Sequence, residues 1–177
     1  MFRRSRHEAA RRAARLVSGC LAIGLLPLAL GSCSSPLDLK QTLEITDISS
    51  GWFDAGIVAG KNKLVPSVTF RVRKKTDSNV RLAVNVVFRR LPAQGATAEE
   101  DWDEVYVQAV KFGEDNQTAP MTVRAKTGYT GDPPQTRLEM LKHSQFRDMR
   151  AHLFVKHSSS QWVELATVDV QRRLLTQ

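Results

Sequence analysis

Polar and apolar residues alternate most regularly over residues 64–73, where Val68, Phe70 and Val72 fall on one side and Thr69, Arg71 and Arg73 on the other. Residues 79–89 repeat the pattern with Val80, Leu82, Val84, Val86 and Phe88. A period of two built on β-branched and aromatic residues predicts strands with one face in a core and one in water. The short polar run Lys74-Lys75-Thr76-Asp77-Ser78 between them predicts a hairpin connection. Weaker alternation predicts strands over residues 42–48, 104–112 and 121–126, carried by Leu43 and Ile45, by Val105 and Val107, and by Met121 and Val123. Residues 150–156 and 161–172 predict a closing hairpin across His157-Ser158-Ser159-Ser160. One short helix is expected over residues 137–143. Thr136 and Glu139 have capping-box spacing, Pro133-Pro134 precede them, and Leu138 and Leu141 supply the buried side.

About seven short strands, turn signals between them and one short helix in a loop predict an all-β chain. The expected architecture is an immunoglobulin-like antiparallel β-sandwich. The Cys…Trp…Cys frame of antibody domains is absent. The stretch 67–88, SVTFRVRKKTDSNVRLAVNVVF, is similar to the strand pair of small immunoglobulin-like modules of bacterial envelope proteins, the FxLYD type among them.

The pattern changes completely at the start of the chain. Arg3, Arg4, Arg6, Arg11, Arg12 and Arg15 precede an apolar run over residues 16–30, interrupted by Gly19, Gly24 and Pro27. A positive segment, an apolar core and small residues make a secretory signal. A spanning helix needs about 20 apolar residues, so a permanent transmembrane anchor is the weaker reading. Leu30-Gly31-Ser32-Cys33 resembles the lipobox of bacterial lipoproteins. That resemblance implies cleavage before Cys33, acylation of its thiol and anchorage in a bilayer. The alternative is ordinary cleavage near Ser32 with a free thiol. Val17-Ser18-Gly19-Cys20 is a second compositional match but has no apolar run ahead of it. The expected division is a signal peptide over residues 1–32, a lipidated tether over 33–40 and a sandwich domain over 41–177. Ser34 after the cysteine resembles the outer-membrane sorting case of enteric bacteria, so a periplasm-facing location on the outer membrane is expected.

The signal alters the charge argument. The chain has 26 Lys+Arg and 18 Asp+Glu, a net of +8. Residues 1–32 hold six arginines and one glutamate, leaving 20 basic against 17 acidic residues, or +3. The basic balance therefore does not point to nucleic acid, and none is expected as a partner. Cys20 and Cys33 are the two cysteines, so the domain has no disulfide, no thiolate metal site and no cysteine nucleophile.

With strands labelled A to G and alternating in direction, the long connections 49–63, 92–103 and 127–149 all leave from one end, opposite the tether. They carry Trp52, Trp102 and Tyr129, the candidate partner-binding residues, since exposed aromatics supply large contact area. The competing reading, favoured for the first loop, is that Phe53, Ile57 and Val58 plug the open end of the sandwich. Gly128 and Gly131 flank Tyr129 and would permit positive φ in a tight turn. Glu99, Glu100, Asp101, Asp103 and Glu104 form an acidic cluster without calcium-loop spacing, better read as a solvated loop than as a metal site. Arg71, Arg73, Arg81 and Arg89 form a basic stripe on strands B and C, able to meet anionic headgroups or simply solvated. His143, His152 and His157 lack metal-ligand spacing, and no nucleophile elbow, S-x-x-K or phosphate loop occurs. No cofactor or metal is expected. The leading expectation is a non-catalytic envelope module binding a protein or glycan. The alternative is an envelope enzyme with a dispersed His, acid and hydroxyl site.

Overall fold

The computed structural model describes residues 37–93 and 95–175. The arginine-rich start, the apolar run, Cys20, Cys33 and the lipidation reading lie outside the described residues.

Among the described residues nine strands build two packed sheets. They are β1 (Leu43–Val58), β2 (Lys61–Lys74), β3 (Leu82–Arg90), β4 (Glu100–Val110), β5 (Met121–Arg124), β6 (Tyr129–Gly131), β7 (Met149–His157), β8 (Val163–Asp169) and β9 (Leu174–Leu175). One sheet runs β5-β2-β1-β9, with β6 also paired to β2, and the other runs β4-β3-β7-β8. All neighbours are antiparallel except β1 and β9. The expected sandwich is present. The first, second and fifth strands share one sheet while β3, β7 and β8 share the other, the partition of immunoglobulin-like architecture. The fourth strand lies beside β3.

This partition corrects one connection. β2 and β3 have the expected alternation, with Val68, Phe70, Val72, Val84, Val86 and Phe88 fully buried. They belong to opposite sheets, however, so residues 75–81 cross the sandwich and no hairpin forms. Alternation reveals which face of a strand is apolar. It does not reveal which neighbour the strand pairs with. The same crossing divides the basic stripe: Arg71 and Arg73 lie on the five-stranded sheet facing Asp47 and Glu44, and Arg89 lies on the other facing Asp101.

The long A–B loop is also corrected. Residues 49–58 continue β1, and Ala59-Gly60 alone make the turn, with φ of 51° and 78°. Two central residues at positive φ match the twist of a two-residue hairpin. The pairing of β1 with β2 shifts between Thr46 and Ser49 and again between Asp54 and Ile57. Asp47 (φ 52°) and Gly56 (φ 80°) sit in these bulges. Trp52 points into the core at 2% exposure. The plug does not form, because Ile57 and Val58 are 65% and 46% exposed. The half-buried Phe53 lies under the Arg124 guanidinium, 3.6 Å from its ring centroid.

Two short helices complete the domain among the described residues. α1 (Leu39–Thr42) begins at Asp38, whose carboxylate accepts from the Lys40 and Gln41 amides. Leu39 is buried, so the last residues assigned to an extended tether belong to the fold. α2 (Arg137–Lys142) has the capping box that Thr136 and Glu139 predict. Leu141 is buried as expected, whereas Leu138 is 58% exposed and Met140 takes the inward place. Arg137 explains the rotation. It donates to Asp54 at 2.9 Å and Asn62 at 2.7 Å, turning the face of residues 137, 140 and 141 toward the sheet.

Candidate functional site

Trp52, Trp102 and Tyr129 do converge. Together with Arg90, Arg147 and Met149 they line a cavity of about 130 Å³ at one end of the sandwich. Each ring is nevertheless committed to packing. Trp52 packs edge-on against Phe146 with centroids 4.5 Å apart, and Tyr129 packs edge-on against the same ring at 5.0 Å. The Tyr129 hydroxyl lies 3.2 Å from His143 Nδ1. Trp102, within β4 and not in a loop, is covered by the Arg90 guanidinium at 3.6 Å and donates from Nε1 to the Thr127 carbonyl. The three rings thus form one packed cluster, with Trp52 buried and Trp102 and Tyr129 half-buried beside the cavity.

The neighbouring acids act individually. Asp103 accepts backbone N–H bonds from Glu104, Lys126 and Thr127 at 2.6–2.8 Å, tying β4 to the opposite sheet's 126–127 segment. Desolvation pushes its carboxyl up, but those three donors and the Lys126 charge outweigh it and hold the group below its usual range. A depressed folded-state value contributes stability that is present above the unfolded carboxylate range and lost as pH falls through the folded value. Asp103→Asn should therefore lose stability at neutral pH, by about 1–2 kcal/mol. Its difference from wild type should shrink below about pH 4. Urea midpoints at pH 7 and pH 3 measure this; an equal difference at both would refute the role of the charge.

The other members of the acidic cluster reach separate partners: Glu99 meets Arg150 and His152, Glu100 meets Arg90 and Arg147, Asp101 meets Arg89, and Glu104 accepts from Asn85. Their carboxylates do not converge on one point as a hard cation would require. His152 is 8% exposed. Its Nε2 lies 2.7 Å from Glu99 and its Nδ1 3.3 Å from Glu164. Both ring nitrogens face carboxylates, leaving neither turned toward a hydroxyl. His157 Nδ1 accepts from the Arg81 amide at 3.1 Å.

A second aromatic pair went unnoticed in the sequence. Tyr106, 55% exposed on β4, faces Trp162 just before β8 with ring centroids 6.1 Å apart and planes inclined by 52°. Lys156 on β7 places its ammonium 4.8 Å from the Trp162 centroid. These three side chains stand around Ala83 and Gln108 and bound an open cavity of about 480 Å³ on the outer face of the four-stranded sheet. The Tyr106 hydroxyl bonds to the Glu104 carboxylate, which holds the phenol above its usual range. A signal was there to read: Tyr106 lies between the inward Val105 and Val107, so alternation directs it outward. Comparison with protein-family models, curated proteins and solved structures finds no match.

Proposed function

We propose that this chain is a bacterial lipoprotein: a non-catalytic binding module of the cell envelope, held to a membrane by acylated Cys33. Its contact surface is the outer face of the four-stranded sheet. The observation that carries the binding role is the open Tyr106–Trp162 pair. Aromatic rings left half in water on a sheet face, beside an ammonium and an amide, supply contact area and orientation together. The Trp52, Trp102 and Tyr129 cluster is spent on packing and serves as its scaffold. The anchoring half of the proposal rests on the lipobox and the signal before it. More than one acyl chain matters there, since a single chain binds membranes only reversibly.

Fractionation tests the anchor. The wild-type protein should sediment with membranes and partition into detergent, and Cys33→Ala should release or mislocalise it. Unchanged, firm membrane association of the variant would replace the lipid anchor with an uncleaved signal. Crosslinking in intact cells tests the surface. Tyr106→Ala with Trp162→Ala should lose the partners that wild type captures, and retention of them all would move the contact surface elsewhere.

A further inference from the structure

The Tyr106–Trp162 cavity does not end at Ala83. A second depression of about 620 Å³ shares that residue and continues along β3 and β4 past Arg81, Lys111, Lys74 and Phe112. Its origin is local. Leu82 pairs with Val110 and Val84 with Val107, so Gln108 and Ala109 together oppose Ala83 in a bulge, with Ala109 at φ 54°. The bulge bends β4 and leaves the smallest side chain of the strand facing the gap. The result is a groove of two depressions that meet at Ala83, one reaching Trp162 and the other reaching Phe112 and Lys74 of β2.

The charged side chains lining that groove, Lys156, Arg81, Lys111 and Lys74, are all basic. The Glu104 carboxylate at the Tyr106 end is engaged by that hydroxyl and by Asn85. None of these four cations forms a salt bridge among the described residues, although most other arginines of the sheets do. Lys74 lies 5.3 Å over the Phe112 ring as Lys156 lies over Trp162, so each end of the groove pairs an aromatic face with an ammonium. From this we infer that the groove binds an acidic oligosaccharide, a chain of pyranose rings bearing carboxylates. This deepens the binding-module reading and rests on it. The apolar C–H faces of the sugar pack on Tyr106 and Trp162, the carboxylates meet the unpaired cations, and Gln108 is placed for the hydroxyls. The inclined rings form a V that fits a puckered saccharide. Flat nucleobases stack on aromatic faces presented along the strand, and planes 52° apart give them no common platform.

The test is titration of the full-length protein in detergent, followed by tryptophan fluorescence and calorimetry. The probes are tetragalacturonate, its methyl ester, an oligothymidylate and a hexaglutamate peptide. Tetragalacturonate should bind, more weakly as salt rises, and the neutral ester at least tenfold more weakly. Trp162→Ala and Tyr106→Ala should each reduce uronate affinity tenfold or more. Lys156→Gln with Lys111→Gln, surface changes that leave the fold intact, should erase the preference for acid over ester. Failure of the uronate to bind, equal binding by the lysine variant, or tighter binding of the oligonucleotide or peptide overturns the inference. If uronate binding fails while Tyr106→Ala still loses partner capture in cells, the ligand class falls and the binding module stands. If neither depends on the groove, both fall.

Discussion

Replacing Trp52 by alanine is expected to cost about 3–5 kcal/mol of folding stability, the range for deleting a buried aromatic side chain. A domain of ordinary stability has only about 5–15 kcal/mol to lose, so the variant should sit near its unfolding transition at physiological temperature. Trp52 stacks on Phe146 from the 144–148 segment, and its backbone amide donates to the Arg173 carbonyl at 2.8 Å. It also pairs across to Leu174 of β9. The residue therefore joins β1 to the C-terminal strand through its backbone and to the connection after α2 through its ring, and the alanine variant loses the second link. Trp52→Phe retains most of that apolar contact and removes an indole N–H that finds no acceptor among the described residues, so it should cost under about 2 kcal/mol. Urea unfolding midpoints at constant slope decide the matter. A loss below 1 kcal/mol for Trp52→Ala would place the residue outside the core and restore it as a contact residue.

Trp52 also shows where sequence reading reaches its limit. Val68, Phe70 and Val72, like Val84, Val86 and Phe88, follow an unbroken period of two, and their strands and buried faces are legible residue by residue. β1 is as real a strand as these, yet only its first part, to residue 48, reads as a strand and residues 49–58 read as a loop. Its two bulges, at Asp47 and Gly56, shift the alternation, so apolar and polar positions lose their common phase. Sheet membership was hidden for a different reason. Lys74 to Ser78 is polar and short whether the chain turns back or crosses to the other sheet. The candidate site divides along the same line. That Trp52, Trp102 and Tyr129 meet followed from strand direction alone, but whether a ring faces solvent or Phe146 depends on neighbours far away in the chain. Tyr106 and Ala83 were legible as outward positions. The bulge that opens a groove between them was not.

Gly128 carries the second large effect. In the sequence it reads as a turn residue chosen for positive φ, together with Gly131. Among the described residues the positive-φ glycines are instead Gly56, Gly60 and Gly95. What Gly128 provides is room. A Cβ there would press on the Leu64 carbonyl oxygen and come within 2.8 Å of Val65 Cγ1, both in β2. The crowded atoms are largely backbone in a paired strand and cannot rotate away as a side chain could. Gly128→Ala should therefore push β6 off β2, breaking the Leu64–Tyr129 pairing and withdrawing Tyr129 from Phe146. The expected cost is about 3 kcal/mol, the upper end for inserting a methyl into a packed site. Gly56→Ala is the control, since a Cβ there meets nothing but must hold φ near +80°, a strain of about 1–2 kcal/mol. The variants should also differ in kind. Gly128→Ala should expose the β6 amides to hydrogen exchange and change the near-ultraviolet dichroism of the Trp52–Phe146–Tyr129 cluster, and Gly56→Ala should do neither. If Gly128→Ala is neutral while Gly56→Ala is costly, close approach is not why glycine stands at position 128. The pairing of β6 with β2 would then have to be looser than its register implies.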